Sequence, residues 1–510
     1  MGNVRIGPIV LMISMMGMGI FVVMTILTGT GNVLGATYRF AWVPALLIGC
    51  VAPRAAIYVL VLLAAYLDLF KKGLVVGGMM DFRDVFFVLA IPPIMLGGMV
   101  IHYIASFCLR IRPMTKRDSV LLSIATGLVL ATSLIAIAKL GLNLRVLKPL
   151  ANTSAYYGLI FVLPLALPTV AHIQKYLRFI IIVMVPAAFH ALWHVFFGLF
   201  EFEHAYMESG FSINLKYMLW GEGIFGPFSA QGSLATTMAL CAAICFAPLL
   251  FRGKIPMKFR LLPGFWSAIL FVLFTTAAVL SLKRGPLLII PGVMVGLFVL
   301  RSRILTMATY GAGISFLVLL VVMGEEFAFK LEAWQTVIYD IFGQKGTGAD
   351  LFRVRTFHAR FIDFSMLTEG ENWTPFGVEK DAIEGGYFAH SLVVRFILSY
   401  GYVPIAACLA VVIPLLAFLH LRLIKMSAGK NFEVFQLRVM AAIVCSFLAA
   451  SALGVLSMGA YPNPFFFGVF LGILAAGLTR VPESEPDPSL AQGREQPPVL
   501  GPGGVQTSTG

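Results

Sequence analysis

What this 510-residue sequence has least of is charge: Asp, Glu, Lys and Arg together make up 12% of it. A soluble globular domain carries about 25%, so an ordinary water-soluble fold is excluded. A hydrophobic content of 59% and a mean hydropathy of +0.92 point the same way. Acidic residues are the scarcer sign, 24 against 37 basic ones, which leaves a net charge of +13. The basic residues fall in short clusters between apolar segments, the pattern that orients membrane helices rather than one that binds nucleic acid. No nucleic-acid partner is expected. Cysteine is sparse as well. All six (Cys50, Cys108, Cys241, Cys245, Cys408, Cys445) lie inside apolar segments and none in the large polar loop. That excludes a disulfide framework and a Cys-x-x-Cys metal pair; Cys241 and Cys245, which share a helix face, read as packing thiols. An internal repeat of the kind that builds a transporter from two related halves is lacking too.

What is present is a series of apolar runs. A spanning helix needs about 20 apolar residues. Segments are predicted near 8–29, 40–53, 55–70, 85–109, 119–140, 153–173, 179–200, 229–251, 263–282, 286–301, 304–324, 391–420, 438–458 and 463–479. This gives an all-α, polytopic membrane helix bundle of about 12–14 transmembrane helices. The first run is too long for a signal-peptide core and reads as a retained helix. The members of the 40–70 pair are short, and only Pro53-Arg54 separates them.

The charges predict a topology. The connections 110–117, 174–178, 252–260, 301–303 and 421–438 are rich in Lys and Arg, and all fall on one side with both termini, assigned to the cytoplasm. The opposite, outer face carries the two larger loops, 201–228 and 325–390. The first has Glu201, Glu203, Glu208 and Glu222 against a single Lys216. Residues 1–480 are expected to form the transmembrane domain. The Pro-, Gly- and Ser-rich stretch 481–510 reads as a disordered cytoplasmic tail.

Two basic pairs run against the trend. Lys71-Lys72 precedes a polar stretch, and Lys283-Arg284 sits in "SLKRGPLLII" between two apolar runs. Charge at a membrane edge is costly enough to suggest function. Gly285 permits a tight reversal and Pro286 suits the first position of a helix. A helix beginning there, beside Arg284 and Lys283, would make an anion site suited to phosphate. In the 325–390 loop, "DLFRVRTFHARFIDF" gathers Arg353, Arg355, His358 and Arg360. They suit either phosphate binding or an amphipathic helix lying on the membrane surface. His390 and Ser391 then open an apolar helix at the outer face. A neutral His390 there suits a general base, or else an interfacial cap. Glu222 precedes the Gly226-Pro227 helix start and is a candidate substrate-orienting group, or a solvated loop residue. Asp81, Arg83 and Asp84 form a local charge cluster. His190 and His194 have the i,i+4 spacing of metal ligands, but their segment offers no carboxylate or third ligand. They read as bundle packing, and neither a metal nor a cofactor is expected.

The order of three stretches resembles the O-antigen ligase and polymerase superfamily of bacterial inner-membrane proteins. "GIFGPFSAQGSLA" (223–235) is similar to the family's glycine-rich segment, and "SLKRGP" (281–286) to its S-x-S-R-G motif. "FRVRTFHARF…WTPFGVE…AHSLVVRFILSYGYVP" (352–404) is similar to the stretch from an arginine, through a P-x-x-G element, to A-H-N-x-x-L-x-x-L-x-E-x-G. The sequence departs from the pattern at several places: Ser391 replaces an asparagine, and Ser399 or Tyr400 stands in the usual glutamate region. The resemblance implies a GT-C-like glycosyltransferase of the bacterial cell inner membrane, with the two large loops in the periplasm. It would polymerise or transfer an undecaprenyl-diphosphate-linked glycan in O-antigen or exopolysaccharide biosynthesis, with inversion and without a metal. Arg284 with Arg353 or Arg355 would bind the diphosphate, and His390 would activate the acceptor hydroxyl. Lys283, Glu222 and Ser391 are further substrate-binding candidates. Implied partners are the glycan donor, a glycan or lipid-linked acceptor, membrane lipids and other polysaccharide-assembly proteins. An O-antigen ligase acting on lipid A-core is the alternative within the class. A polysaccharide or lipid-linked oligosaccharide transporter or flippase is the alternative outside it, and a catalytically silent membrane scaffold a third reading.

Overall fold

The computed structural model describes residues 38–80, 84–140, 147–210, 224–250, 261–281, 283–300, 432–452 and 461–479, with scattered positions between 304 and 410. Fifteen α-helices are delimited among these residues, with no strand. They are α1 (Trp42–Val51), α2 (Pro53–Val76), α3 (Val85–Leu89), α4 (Ile91–Cys108), α5 (Lys116–Leu140), α6 (Leu147–Asn152), α7 (Leu159–Ala166) and α8 (Val170–Phe197). There follow α9 (Glu201–Glu208), α10 (Gln231–Leu250), α11 (Gly264–Leu280), α12 (Arg284–Leu287), α13 (Ile289–Val299), α14 (Phe432–Ala452) and α15 (Asn463–Thr479). The chain divides into two compact units, Met1–Leu478, which holds the helical bundle, and Thr479–Gly510.

Among the described residues, three helical stretches are long and apolar enough to cross a membrane: Val85–Cys108 (α3 and α4), Lys116–Ile137 within α5, and Val170–Phe197 (α8). Shorter apolar helices, α10, α11 and α15 among them, accompany these. Many large side chains face outward, including Leu134, Phe189, Val272 and Phe298. An apolar exterior of this extent is the surface of a membrane protein, which lipid rather than water must cover.

The elements follow from local sequence, with two departures from the predicted segments. The 40–70 pair resolves into α1 and α2, broken only at Ala52, where Pro53 starts the second helix. The stretch predicted as one span at 153–173 is instead a 3-10 turn (Ser154–Gly158), the two-turn α7, and the beginning of α8. Pro168 has no N–H and disfavours helix at the residue before it. Thr169 then caps α8, its hydroxyl accepting from the His172 N–H at 3.3 Å.

Between lipid-facing helices there is no apolar-transfer drive, so small residues that admit close backbone approach take its place. α15 presents Gly468 and Gly472 to the 154–166 segment. A Cβ at either would stand 2.6 Å from a carbonyl oxygen, of Tyr156 and Leu159 respectively. α13 lays Gly292 and Gly296 on Ser446 and Ala442 of α14, and α1 meets α4 through Gly49 and Gly98. α10 and α11 pack along their length. The start of α10 therefore lies beside the end of α11, and α12 touches both.

Two ends of the bundle emerge. At one end Arg178 Nε donates to the Leu261 carbonyl, which ties α8 to the approach to α11, and Arg117 donates to that of Ala476, which ties the start of α5 to the end of α15. At the other end lie the C-terminal part of α2, the end of α8, α9, the start of α10 and, through Ser233 Oγ donating to the Tyr461 carbonyl, the approach to α15.

Candidate functional site

The second end contains a buried charge cluster built on α2. Helix periodicity sets Asp68, Lys71 and Lys72 on one side of that helix, where they are 7%, 8% and 0% exposed. Two adjacent lysines inside apolar packing need compensation, since an unpaired buried charge costs several kcal/mol. Each has its own carboxylate. Lys71 donates to Asp68 Oδ1 at 2.8 Å and to Ser229 Oγ at 2.5 Å, and the Ser229 N–H closes the ring on Asp68 Oδ2 at 2.9 Å. Lys72 donates to Glu203 Oε1 at 3.0 Å and to the Gly226 carbonyl at 2.9 Å, with its Nζ 4.2 Å from the Phe225 ring centroid.

The glycine-rich turn is thus the lid over these lysines. Gly226 has φ +55°, a conformation that costs a residue with a side chain. Here a Cβ would also stand 3.1 Å from the Ala191 Cβ of α8. Glycine at this position lets the turn press against α8 while aiming its carbonyl at Lys72.

Glu203 is the hub. It lies in the first turn of α9, three residues beyond the chain's departure from α8 at Gly198–Phe200, and is completely buried. Its Oε2 accepts from His194 Nε2 at 2.7 Å, and the Phe200 N–H lies 3.4 Å away. His190 Nε2 stands 3.4 Å from Oε1 but makes no well-formed hydrogen bond. Burial alone would raise the carboxyl's pKa. The imidazoles and the Lys72 charge outweigh it and hold Glu203 well below the usual carboxylate range.

The same end carries an aromatic rim. Trp193 stacks on Phe200 at 5.4 Å and packs on Phe197 at 4.3 Å, while Phe189, Phe196 and Phe197 face outward.

No family model, curated protein or solved structure matches the chain.

Of the residues singled out from sequence, Glu222, Arg353, Arg355, His390 and Ser391 lie outside the described residues, as does the side chain of Arg284. The backbone around Arg284 corrects one expectation. Helix α12 begins at Arg284, two residues before Pro286, and lasts a single turn before α13 starts at Ile289. Pro286 is therefore third in that turn, and its missing N–H removes one of the donors an anion would use. Lys283 is exposed in extended backbone, its N–H donating to Ser281 Oγ at 3.3 Å. The contact of α12 with α10 and α11 sets "SLKRGP" at the same end as "GIFGPFSAQG".

Part of the third stretch is also assembled. Tyr402 N donates to Thr374 O and Val403 N to Pro375 O, both at 3.1 Å, so the "TPFG" element pairs with "GYV". Gly401, at φ +75°, abuts the backbone of Pro375–Gly377 too closely for any side chain. Nearby, Phe364, Leu367, Val394, Ile397 and Leu398 form a small core of their own.

Sequence reasoning missed the Lys72–Glu203–His194 cluster. The segment of His190 and His194 offers no carboxylate of its own, which makes them look like packing, and the structure supplies one, Glu203, from the next helix. The available signal was the pair of lysines against the charge trend, with an acidic loop across from them. Asp84 of the 81–84 group accepts from Tyr38 and Arg39 at 2.9 and 2.8 Å, a separate surface contact.

Proposed function

We propose that this chain is a glycosyltransferase-like protein of the bacterial inner membrane. It polymerises or transfers undecaprenyl-diphosphate-linked glycans at the periplasmic face, from a GT-C-like bundle of about 12–14 spans. The observation that carries this reading is the order of the three motif-like stretches, at 223–235, 281–286 and 352–404. Two further facts support it: the first two stretches share one end of the bundle, and "TPFG" pairs with "GYV" within the third. The basic connection 110–117 leads into α5, and 174–178, predicted as a connection, instead lies within the first turns of α8; both are at the opposite end, in keeping with cytoplasmic termini and periplasmic loops.

In this reading the acceptor hydroxyl attacks the anomeric carbon of the donor sugar. Its proton passes to His390, and the bond to the diphosphate oxygen breaks with inversion. Arg284, with Arg353 or Arg355, holds the diphosphate and stabilises the charge that develops on it, a task for preorganised cations. Lys283, Glu222 and Ser391 contact the glycan or its acceptor. No metal enters the chemical step. Ligation to lipid A-core uses the same chemistry with another acceptor. A transporter reading would draw on Asp68, Lys71, Lys72 and Glu203, because buried charge often lines an ion path. The position of Asp68, Lys71 and Lys72 toward the C-terminal end of α2, rather than at its middle, favours the enzyme.

The test is complementation of a strain lacking the gene with Arg284→Ala, Arg355→Ala and His390→Ala at matched expression. Short or absent polymer with accumulation of lipid-linked donor is the expected result. Normal glycan length and amount in all three variants overturns the assignment. Accumulated full-length lipid-linked polymer would identify ligation instead of polymerisation.

A further inference from the structure

We propose that His190, His194 and Glu203 form a binding site for a divalent transition-metal ion of the zinc class. Two turns of geometry create it. The i,i+4 spacing puts both imidazoles on one face of α8, with ring centroids 4.9 Å apart. The chain then reverses at Gly198, whose φ of +82° ends the helix, and returns Glu203 beneath them. One ligand atom from each residue lies within 4.8 Å of the others.

Three observations favour a metal over a simple hydrogen-bonded cluster. His190 Nε2 is buried without a hydrogen-bond partner although it faces Glu203, so polar contacts do not account for that ring. Buried polar atoms are seldom left so. Next, the His190 Nε2–Glu203 Oε1 separation is 3.4 Å. It is too poorly aligned for a hydrogen bond, yet two ligands of a tetrahedral ion with bonds of about 2.0–2.1 Å stand roughly 3.4 Å apart. Lastly, two imidazoles and one carboxylate suit zinc and its neighbours and disfavour magnesium or calcium, which take oxygen. Burial of Glu203 excludes bulk water as a competitor on that side. His194 Nε2 and Glu203 Oε2, now 2.7 Å apart, would separate by about 0.6 Å to admit the ion.

Lys72 is the built-in competitor. Its ammonium shares Oε1, so an arriving ion displaces one cation from the carboxylate. Lys72 retains the Gly226 carbonyl and the Phe225 ring when it yields that oxygen. The flanking Asp68 is already engaged by Lys71 and Ser229 and adds little free negative charge. Lys72 therefore lowers the affinity for a dication by repulsion across a few ångströms. The site belongs to neither the diphosphate nor the acceptor machinery proposed above, and its test does not depend on activity.

The full-length protein, free of any polyhistidine tag, is reconstituted in nanodiscs and titrated with Co²⁺, followed by Zn²⁺ competition. The absorption bands of tetrahedral cobalt are the readout. About one equivalent is expected in the wild type, displaced by zinc. His190→Gln should weaken binding at least about tenfold, as loss of one of three ligands demands. It should fold normally, because the His190 Nε2 makes no hydrogen bond to lose. Lys72→Met should tighten binding at least about tenfold by removing the competing charge. Undiminished cobalt binding in His190→Gln would overturn the proposal and assign the metal to exposed groups such as His204. Absence of binding in both the wild type and Lys72→Met would overturn it as well.

Discussion

Replacing Lys72 by methionine removes the ammonium while keeping most of the apolar stem. The side chain is fully buried, with Glu203 Oε1 at 3.0 Å, the Gly226 carbonyl at 2.9 Å and the Phe225 ring at 4.2 Å. Three favourable contacts are lost together, but they are coupled and their separate energies do not add. The governing quantity is the carboxylate left behind. Removing one partner of a buried pair costs about 3–5 kcal/mol, because the other charge stays buried without its counterion. His194 still donates to Glu203 Oε2, which sets the expectation at the lower end, about 3 kcal/mol. The companion variant Lys72→Met/Glu203→Gln removes both charges and keeps an acceptor for His194. Its cost should be under about 2 kcal/mol, less than that of Lys72→Met alone, since neutral replacement of both partners is often tolerated. Stability would be measured by thermal or denaturant unfolding in one detergent, for the wild type, both single variants and the double. A Lys72→Met cost under about 1 kcal/mol would refute the reasoning, as that is the scale of an exposed pair. A double variant costing the sum of the singles would refute it equally, since it would show no coupling.

Other outcomes follow from the same geometry. Glu203 has a depressed folded pKa, so its contribution to stability is complete above the unfolded value of about 4.3 and is lost as pH falls through the folded one. Unfolding temperatures recorded across this acid range should fall less steeply in Glu203→Gln than in the wild type; equal slopes would remove Glu203 from the acid response. Gly472→Ala should destabilise by about 1–3 kcal/mol, because the new methyl meets the fixed Leu159 carbonyl rather than a movable side chain. A neutral result in unfolding measurements would show that α15 shifts freely on its neighbour. Arg39→Ala breaks the half-exposed pair with Asp84, and a loss above about 1 kcal/mol would be inconsistent with such a contact.

The helical class and most element boundaries were legible in the sequence, because each rests on local chemistry. Apolar runs of spanning length, Pro53 as punctuation, and Asn463–Thr479 as a closed apolar segment needed no knowledge of neighbours. The split of 153–173 shows where this stops: hydropathy sums over a proline that the backbone cannot ignore. The anomalous position of Lys71-Lys72 was visible too, since a membrane sequence spends charge rarely. Which carboxylate each lysine meets was not. Glu203 lies 131 residues beyond Lys72, and only the packing of α9 on α2, with the Gly226 turn pressed on α8, brings them into contact. The i,i+4 pair His190 and His194 was likewise readable as a ligand pattern, whereas its third member arrives from a different helix. Sequence alone determined that the chain is a helical membrane protein with scarce, clustered charge, because solvation by lipid acts on every residue locally. The tertiary structure decided which charges neutralise one another, because a buried charge pairs through space and has no signature along the chain.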